Sequence, residues 1–311
     1  MSQKGSDTHR SSTAGHFEML IDGHRPTAFV KTVDGGYVRA ALMDEAIGPE
    51  NHRIKHTSVV EIEPFSVDFG ISGANEVLKW IQDSWRKEYG RRNGQITHAN
   101  FDLFQTFEHE FFDALITETT FPTLDGASKD AAYIKIKLQP ERVVSKKTGG
   151  GRVQSNISPK QKLWMCSGFR LKIDGLADVE YANKIESFTI KQGVRKFYTG
   201  EDRFPQIEPT KIEFPAISGT IALGYADGLL KWYEEYVVKG MADPKAQKSG
   251  SLEFLAPDRN EVLFRINLFE VGLHHLSMVQ SHANADQIKR MKFELYVGRM
   301  DLDGGGSLGM A

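Results

Sequence analysis

Phe17-Glu-Met-Leu-Ile-Asp-Gly23 and Phe169-Arg-Leu-Lys-Ile-Asp-Gly175 share one outline and stand 152 residues apart. Leu78-Lys-Trp80 and Leu230-Lys-Trp232 repeat at the same offset of 152. A constant offset held from Gly23 to Trp80 is hard to reach by chance, and self-similarity of this kind decides the fold wherever it occurs. The period is too long for a solenoid and only two copies are present. The sequence therefore predicts one domain duplicated in tandem.

Working outward from those anchors, each copy carries the same order of elements. A short strand comes first, Phe17 to Ile21 and Phe169 to Ile173. A glycine turn leads to a second strand, near Ala28 to Val33 and Tyr181 to Ile190. Irregular stretches follow, Asp44 to His56 and Gly200 to Lys211, rich in charge, Gly, Pro and His. Alternating apolar residues then predict a strand with one face on a core: Ile62, Phe65, Val67, Phe69 and Ile71, then Ile212, Phe214, Ile217, Ile221 and Leu223. One helix follows in each copy, Ala74 to Tyr89 and Asp227 to Lys239. Val77, Leu78, Ile81, Trp85 and Tyr89 form an apolar stripe, as do Leu229, Leu230, Tyr233, Tyr236 and Val237, and Gly240 stands at a C-cap position. The remaining strands are predicted at Asn100 to Thr106, Phe111 to Ile116 and Ala132 to Leu138, and at Ser251 to Leu255, Glu261 to Phe269 and Met291 to Val297.

The fold class is therefore mainly β, of α+β type: two tandem domains of mostly antiparallel strands, each with one helix near the middle. The boundaries read as a disordered arm over 1–15, a first domain over 16–142, a basic Gly-containing linker over 143–166, a second domain over 167–302 and a flexible tail over 303–311. The connecting segment Arg142 to Gly168 holds six basic residues, no acid and Gly149-Gly150-Gly151, which reads as an exposed linker. The formal net charge of −2 calls for no polyanionic partner. One cysteine, Cys166, forbids an internal disulfide. No apolar run approaches the ~18–20 residues of a membrane span, so no membrane anchor is expected.

Chemistry is hard to place on this chain. His52 and His56 are four apart but lie in a segment without helical character, and His274-His275 would point apart. Glu108-His109-Glu110 starts like a zinc-protease motif, lacks the second His and reads as surface charge. No glycine cluster has a phosphate-loop context. Gly305-Gly306-Ser307-Leu308-Gly309 has nucleophile-elbow spacing but no strand or helix around it. Cys166 reads as an incidental thiol. The basic linker has only Trp164 at its edge to stack on bases. No catalytic residue, metal site or cofactor is predicted, which weighs against a hydrolase. The missing signal peptide weighs against a secreted binding module.

The second copy reads Phe197-Tyr-Thr-Gly-Glu-Asp202, Pro205, Pro209, Asp227-Gly-Leu-Leu-Lys-Trp232 and Gly240, then Gly250-Ser-Leu-Glu-Phe-Leu255, the turn Pro257-Asp-Arg-Asn260 and an apolar strand to Phe269 with Arg265. This order resembles the tail tube protein family of contractile-tailed phages and phage-like injection machines. The resemblance covers Phe169 to Leu302 well and Phe17 to Arg142 mainly through the repeat. Ala46-Ile-Gly-Pro49 stands where the family's glycine-containing loop would be in copy one.

The resemblance implies that the two tandem domains are antiparallel β-sandwich or barrel domains, each with one flanking helix, in a structural protein that forms rings stacked into a hollow tube, working in a virion tail assembled in the host cytoplasm or in a cytoplasmic injection particle. It implies self-association, as a trimer with pseudo-sixfold symmetry or as a hexamer, sheath and baseplate partners, and DNA or effectors passing through the lumen. A tube initiator or baseplate hub with two such domains is the alternative. Gly200, Glu201, Asp202, Arg203 and Phe204 are then candidates for an inter-ring loop. Trp80, Trp85, Leu230, Trp232 and Tyr236 are candidates for packing the helices.

Overall fold

The computed structural model describes residues 15–24, 29–48, 52–154, 164–200, 202–280 and 288–304. The first half contains β1 (His16–Ile21), β2 (Val30–Asp34), the hairpin β3 (Val38–Ile47) and β4 (His52–Ile62), then β5 (Phe65–Phe69) and helix α1 (Asn75–Trp85). It closes with β6 (Arg92–Ala99), the long β7 (Gln105–Phe121), β8 (Leu124–Asp125), β9 (Ile134–Gln139) and β10 (Arg142–Lys147). The second half contains β11 (Phe169–Ile173), β12 (Ala182–Ile185), the hairpin β13 (Phe188–Phe197) and β14 (Gln206–Glu213), then β15 (Ile217–Ala222) and helix α2 (Asp227–Tyr233). It closes with β16 (Lys248–Leu255), β17 (Val262–Met278) and β18 (Arg290–Asp303). One sheet runs β1-β6-β7-β9-β5-β2, with β10 and β13 also on β7 and β14 on β13; a second runs β11-β16-β17-β18-β15-β12-β8; and β3 and β4 form a two-stranded sheet of their own. The ladders are antiparallel.

The alternating residues do what the period demands. Phe65, Val67 and Phe69 on β5 are fully buried, and so are Ile217 and Ile221 on β15. Registers recur at fixed spacing. Val33 faces Val67, and 152 positions later Ile185 faces Gly219. Arg39 faces Glu61, and Lys191 faces Glu213. Beyond the helices the spacing becomes 157: Ile116 faces Leu138 and Leu273 faces Leu295. The two 17-residue strands each bend at a non-glycine residue in the left-handed region, Asp113 at φ 52° and Glu270 at φ 55°. Such a residue is strained and marks a bulge that re-aims the strand. Gly94 and Gly250 sit where a Cβ would collide with the carbonyl oxygens of Leu20 and Lys172.

The halves share one core. The ring of Phe121 stacks on Phe188 and on Phe254, at centroid separations of 5.1 and 5.5 Å. They also share hydrogen-bonded sheet. The end of β7 pairs with β13, Phe188 facing Phe121 and Lys191 facing Glu118. β8 pairs with β12.

Several expectations are corrected. The stretches 44–56 and 200–211 are not irregular: they lie largely in the β3–β4 and β13–β14 hairpins. These ribbons stand mostly clear of the core, so apolar residues such as Leu42, Met43, Ile47 and Ile54 lie exposed on both faces of β3 and β4 and no alternation marks a buried side. Cross-strand pairs such as Arg39–Glu61 at 3.1 Å and Arg53–Asp44 at 3.1 Å replace it. The expected strand Asn100 to Thr106 begins as a turn. Asn100 Oδ1 accepts from the Asp102 and Phe104 amides, and Leu103 has φ 67°. The strand before it, β6, was not expected because its apolar residues are sparse. Tyr181 to Ile190 is two strands broken at 186–187.

The expected linker is partly structure. β10 extends the sheet on β7, Arg152 bridges Phe104, and Val153 and Trp164 are buried. Residues 155–163 lie outside the described residues, as do 1–14 and 305–311, which include the glycine–serine motif. The tail expected from 303 begins later, since β18 runs through Asp303.

Candidate assembly surfaces

The helix candidates divide. In α1, Val77, Trp80, Ile81 and Trp85 face the core, and Trp80 donates its indole N–H to the Gly90 carbonyl at 3.1 Å. Trp85 stands edge-on to Phe121 and to Phe214 of the other half. In α2 the buried face is Leu229 and Trp232, continued by Tyr236 in the π-turn Glu234–Val238. The Tyr236 and Tyr296 hydroxyls are hydrogen-bonded. Burial, the bond to Tyr296 and its charge push the Tyr236 phenol up to about 12. Leu230 contradicts its expected role: it is exposed, one step around the helix from the Leu229–Trp232–Tyr236 face.

The candidate loop caps the β13–β14 hairpin. Gly200 turns with φ 86°, and Asp202 Oδ1 accepts from the Phe204 amide at 3.1 Å. Arg203 is exposed and Phe204 leans on the core; Glu201 lies outside the described residues. The base of this hairpin is held by the first half. Arg91 donates to the Ile207 carbonyl and pairs with Glu141, which accepts from the Ile207 amide at 2.8 Å. Helix α1 and its C-cap reach the end of β18 in the second half. Arg86 grips Asp301 with two bonds, 2.8 and 2.9 Å, and Gln82 donates to the Leu302 carbonyl. No local pattern announces these pairs, because each joins residues fifty or more positions apart.

Glu108-His109-Glu110 is not simple surface charge. Glu108 and His109 are buried on β7, where alternation with Phe107 and Phe111 could have signalled it. His109 lies among the rings of Tyr37, Phe65, His98 and Phe107, at centroid separations of 5.0, 5.4, 5.5 and 4.9 Å. Its Nδ1 is 2.8 Å from Ser145 Oγ. Burial first, and the neighbouring His98 second, push its pKa down to about 4. The Cys166 thiol is buried and raised by burial, with Asp130 adding to the shift, so the reactive thiolate is disfavoured. His52 and His56 lie on exposed strand β4. Trp164 is packed edge-on against Phe254 and Phe264 and is not free to stack on bases. Among the described residues no cluster of three or more His, Cys, Asp or Glu could hold a metal, and no helix is long and apolar enough to cross a membrane. What the surface offers is sheet edge, hairpin and helix flank: material for subunit contact.

Residues 13–144 match the family model of the T4-like virus tail tube protein gp19. The match falls on the first half, although the motif order had pointed more strongly to the second. Among solved structures, the chain is similar to a protein from the sheath–tube complex of the extracellular contractile injection system PVC in its extended state. The two are 17% identical, with 47% of this chain and 100% of that chain covered and a TM-score of 0.41. It is similar to a protein of the anti-feeding prophage tube-terminating cap, at 12% identity, 47% and 97% coverage and a TM-score of 0.40. It is similar also to Hcp1 from Flavobacterium johnsoniae, at 16% identity, 44% and 95% coverage and a TM-score of 0.27. No curated protein matches the chain.

Proposed function

We propose, starting from the tail-tube domain of the T4-like gp19 family that residues 13–144 carry, that this protein is a structural subunit of a contractile tail or injection machine. Its rings stack into the inner tube, and DNA or effectors pass through the lumen without being read. Sheath and baseplate proteins are its partners, and its place is the virion tail or a cytoplasmic injection particle. It performs no catalysis in this reading.

We read the second half as a further tube-like domain. The observation that carries this reading is the recurrence of strand registers at 152 and then 157 positions, down to the paired strains at Asp113 and Glu270. A ring then needs three chains for six domains. Lateral hydrogen bonding of β7 to β13 supports two domains side by side in one ring rather than in two layers. Closing the ring also pairs sheet edges that would otherwise template aggregation.

Two tube-like units in one chain also suit a tube initiator or baseplate hub, which would form one short ring. Negative-stain microscopy of the purified protein separates these readings. Long hollow stacks are expected, and isolated short rings would favour the hub. Rotational analysis of end views should give three chains per ring; six chains per ring would sink the trimer.

A further inference from the structure

The contact between the two halves of one chain carries information about the contact between chains. Counterpart positions behave differently at the middle of the chain and at its two flanks. Ile190 on β13 is 1% exposed inside the joint, whereas Val38, 152 positions earlier on β3, is 42% exposed. Phe121 at the end of β7 is 0% exposed, whereas Met278, 157 positions later at the end of β17, is 55% exposed. Leu78 on α1 is 3% exposed and Leu230 on α2 is 39% exposed. The apolar groups left open lie on the leading side of the first half and the trailing side of the second. Hydrogen bonding agrees. The last residues of β17 pair with β18 on one edge, and β16 pairs with β17 only as far as Val271, so the other edge is open beyond it among the described residues. Among the described residues, β3 pairs with β4 on one edge and with no strand on the other.

We infer that a second copy of this chain occupies these surfaces by repeating the internal joint: β3 of one chain adds antiparallel to the end of β17 of the next. The inference rests on the duplication reading above and commits to a register. The internal pairs Phe188–Phe121, Thr189–Thr120, Ile190–Thr119 and Lys191–Glu118 become Gly36–Met278, Tyr37–Ser277, Val38–Leu276 and Arg39–His275 between chains. The helix contact translates too. Arg86 on Asp301 in the joint becomes Val238 on Val144 between chains, and both valines are open in the single chain, at 65% and 43% exposure. An ion pair at the internal joint is thus replaced by an apolar pair at the external one. Burying those valines favours association, and strand addition satisfies edge amides and carbonyls that water otherwise holds. The contact is head-to-tail, so it propagates until a ring closes.

Two experiments test the register on the full-length chain. Thr120 Oγ1 and Thr189 Oγ1 lie 2.8 Å apart in the internal joint, so their counterparts stand within reach of a disulfide. Tyr37→Cys with Ser277→Cys, mildly oxidised after assembly, is expected to link chain to chain and to close into a covalent ring; either single variant is not. Links at Tyr37→Cys with His275→Cys in place of the matched pair would overturn the register. So would links between two Tyr37→Cys copies, or no link at any protein concentration.

The second experiment recreates the internal pair between chains. Val238→Arg or Val144→Asp alone is expected to raise the concentration needed for assembly about tenfold or more, because each buries a lone charge; the double variant should recover most of it. Singles that assemble normally, or a double no better than its singles, would overturn the inference. Tubes lacking these links would defeat the joint and spare the tube reading. Linked rings that never stack would do the reverse.

Discussion

His109 shows what burial does to an ordinary titrating group. Its neighbours are the rings of Tyr37, Phe65, His98 and Phe107, and its Nδ1 is hydrogen-bonded with Ser145 Oγ. Burial holds its folded pKa at about 4, below the ordinary histidine value of 6.5. Between those values the unfolded chain binds a proton that the folded chain refuses. Stability is therefore complete above pH 6.5 and falls as pH drops toward 4, by up to roughly 3 kcal/mol from this residue. Urea midpoints measured over that window should decline with acid, and His109→Phe should flatten the decline. An equally steep curve in the variant would acquit His109. Trp80 and Trp232 make a second residue-scale case. Each is buried on a helix against sheet, and Trp→Ala at either site should cost roughly 3–5 kcal/mol, a large share of a domain's stability. Thermal unfolding reads the loss, and an unshifted midpoint would mean that the side chain is not packed.

At the scale of elements, the β13–β14 hairpin separates fold from assembly. Toward its tip, Asp202 Oδ1 accepts from the Phe204 amide, while its base carries Ile207, fully buried and held by Arg91 and Glu141. Removing residues 200–203 should leave the circular dichroism spectrum intact and shorten or abolish stacks under the microscope. Removing 200–211 should cost folding as well, since it takes Ile207 and part of a strand. Full-length tubes from the tip deletion would remove the stacking role assigned to Gly200 to Phe204. The helices differ in a related way. Arg86, nearly half exposed, pairs with Asp301, so the pair's own contribution is below about 1 kcal/mol. The joint is held instead by Phe121, Trp85 and the β7–β13 ladder.

For the whole molecule, the shared core predicts one cooperative unit. Phe121 from the first half stacks between Phe188 and Phe254 from the second, so neither half can open without exposing the other. Calorimetry of the unassembled chain should show a single transition. Phe121→Ala should lower that transition by the roughly 3–5 kcal/mol of a deleted core aromatic without splitting it. Two separate transitions in the unaltered protein would show that the halves unfold independently, and the joint would then be a docking contact rather than core.

The sequence by itself determined the recurrence of short motifs at 152 positions, the presence of the two helices, the buried face of β5 and the tryptophans of the two helices. Each is written in a local period or a short motif: alternation on β5, the three-and-four spacing of α1, the recurrence of Leu-Lys-Trp at 152. Leu230 escaped that logic, because a stripe cannot say which of its residues has a partner. Only the tertiary structure decided that the charged stretches 44–56 and 200–211 lie in paired ribbons, that part of the basic segment after Arg142 is a strand, and that His109 is buried. It also decided that β7 hands its last residues to β13. Those outcomes depend on which distant edge is left open when the core closes. A hydrogen-bonded edge accepts any extended backbone, so the choice of partner is made by packing and leaves no signature in the local run of residues.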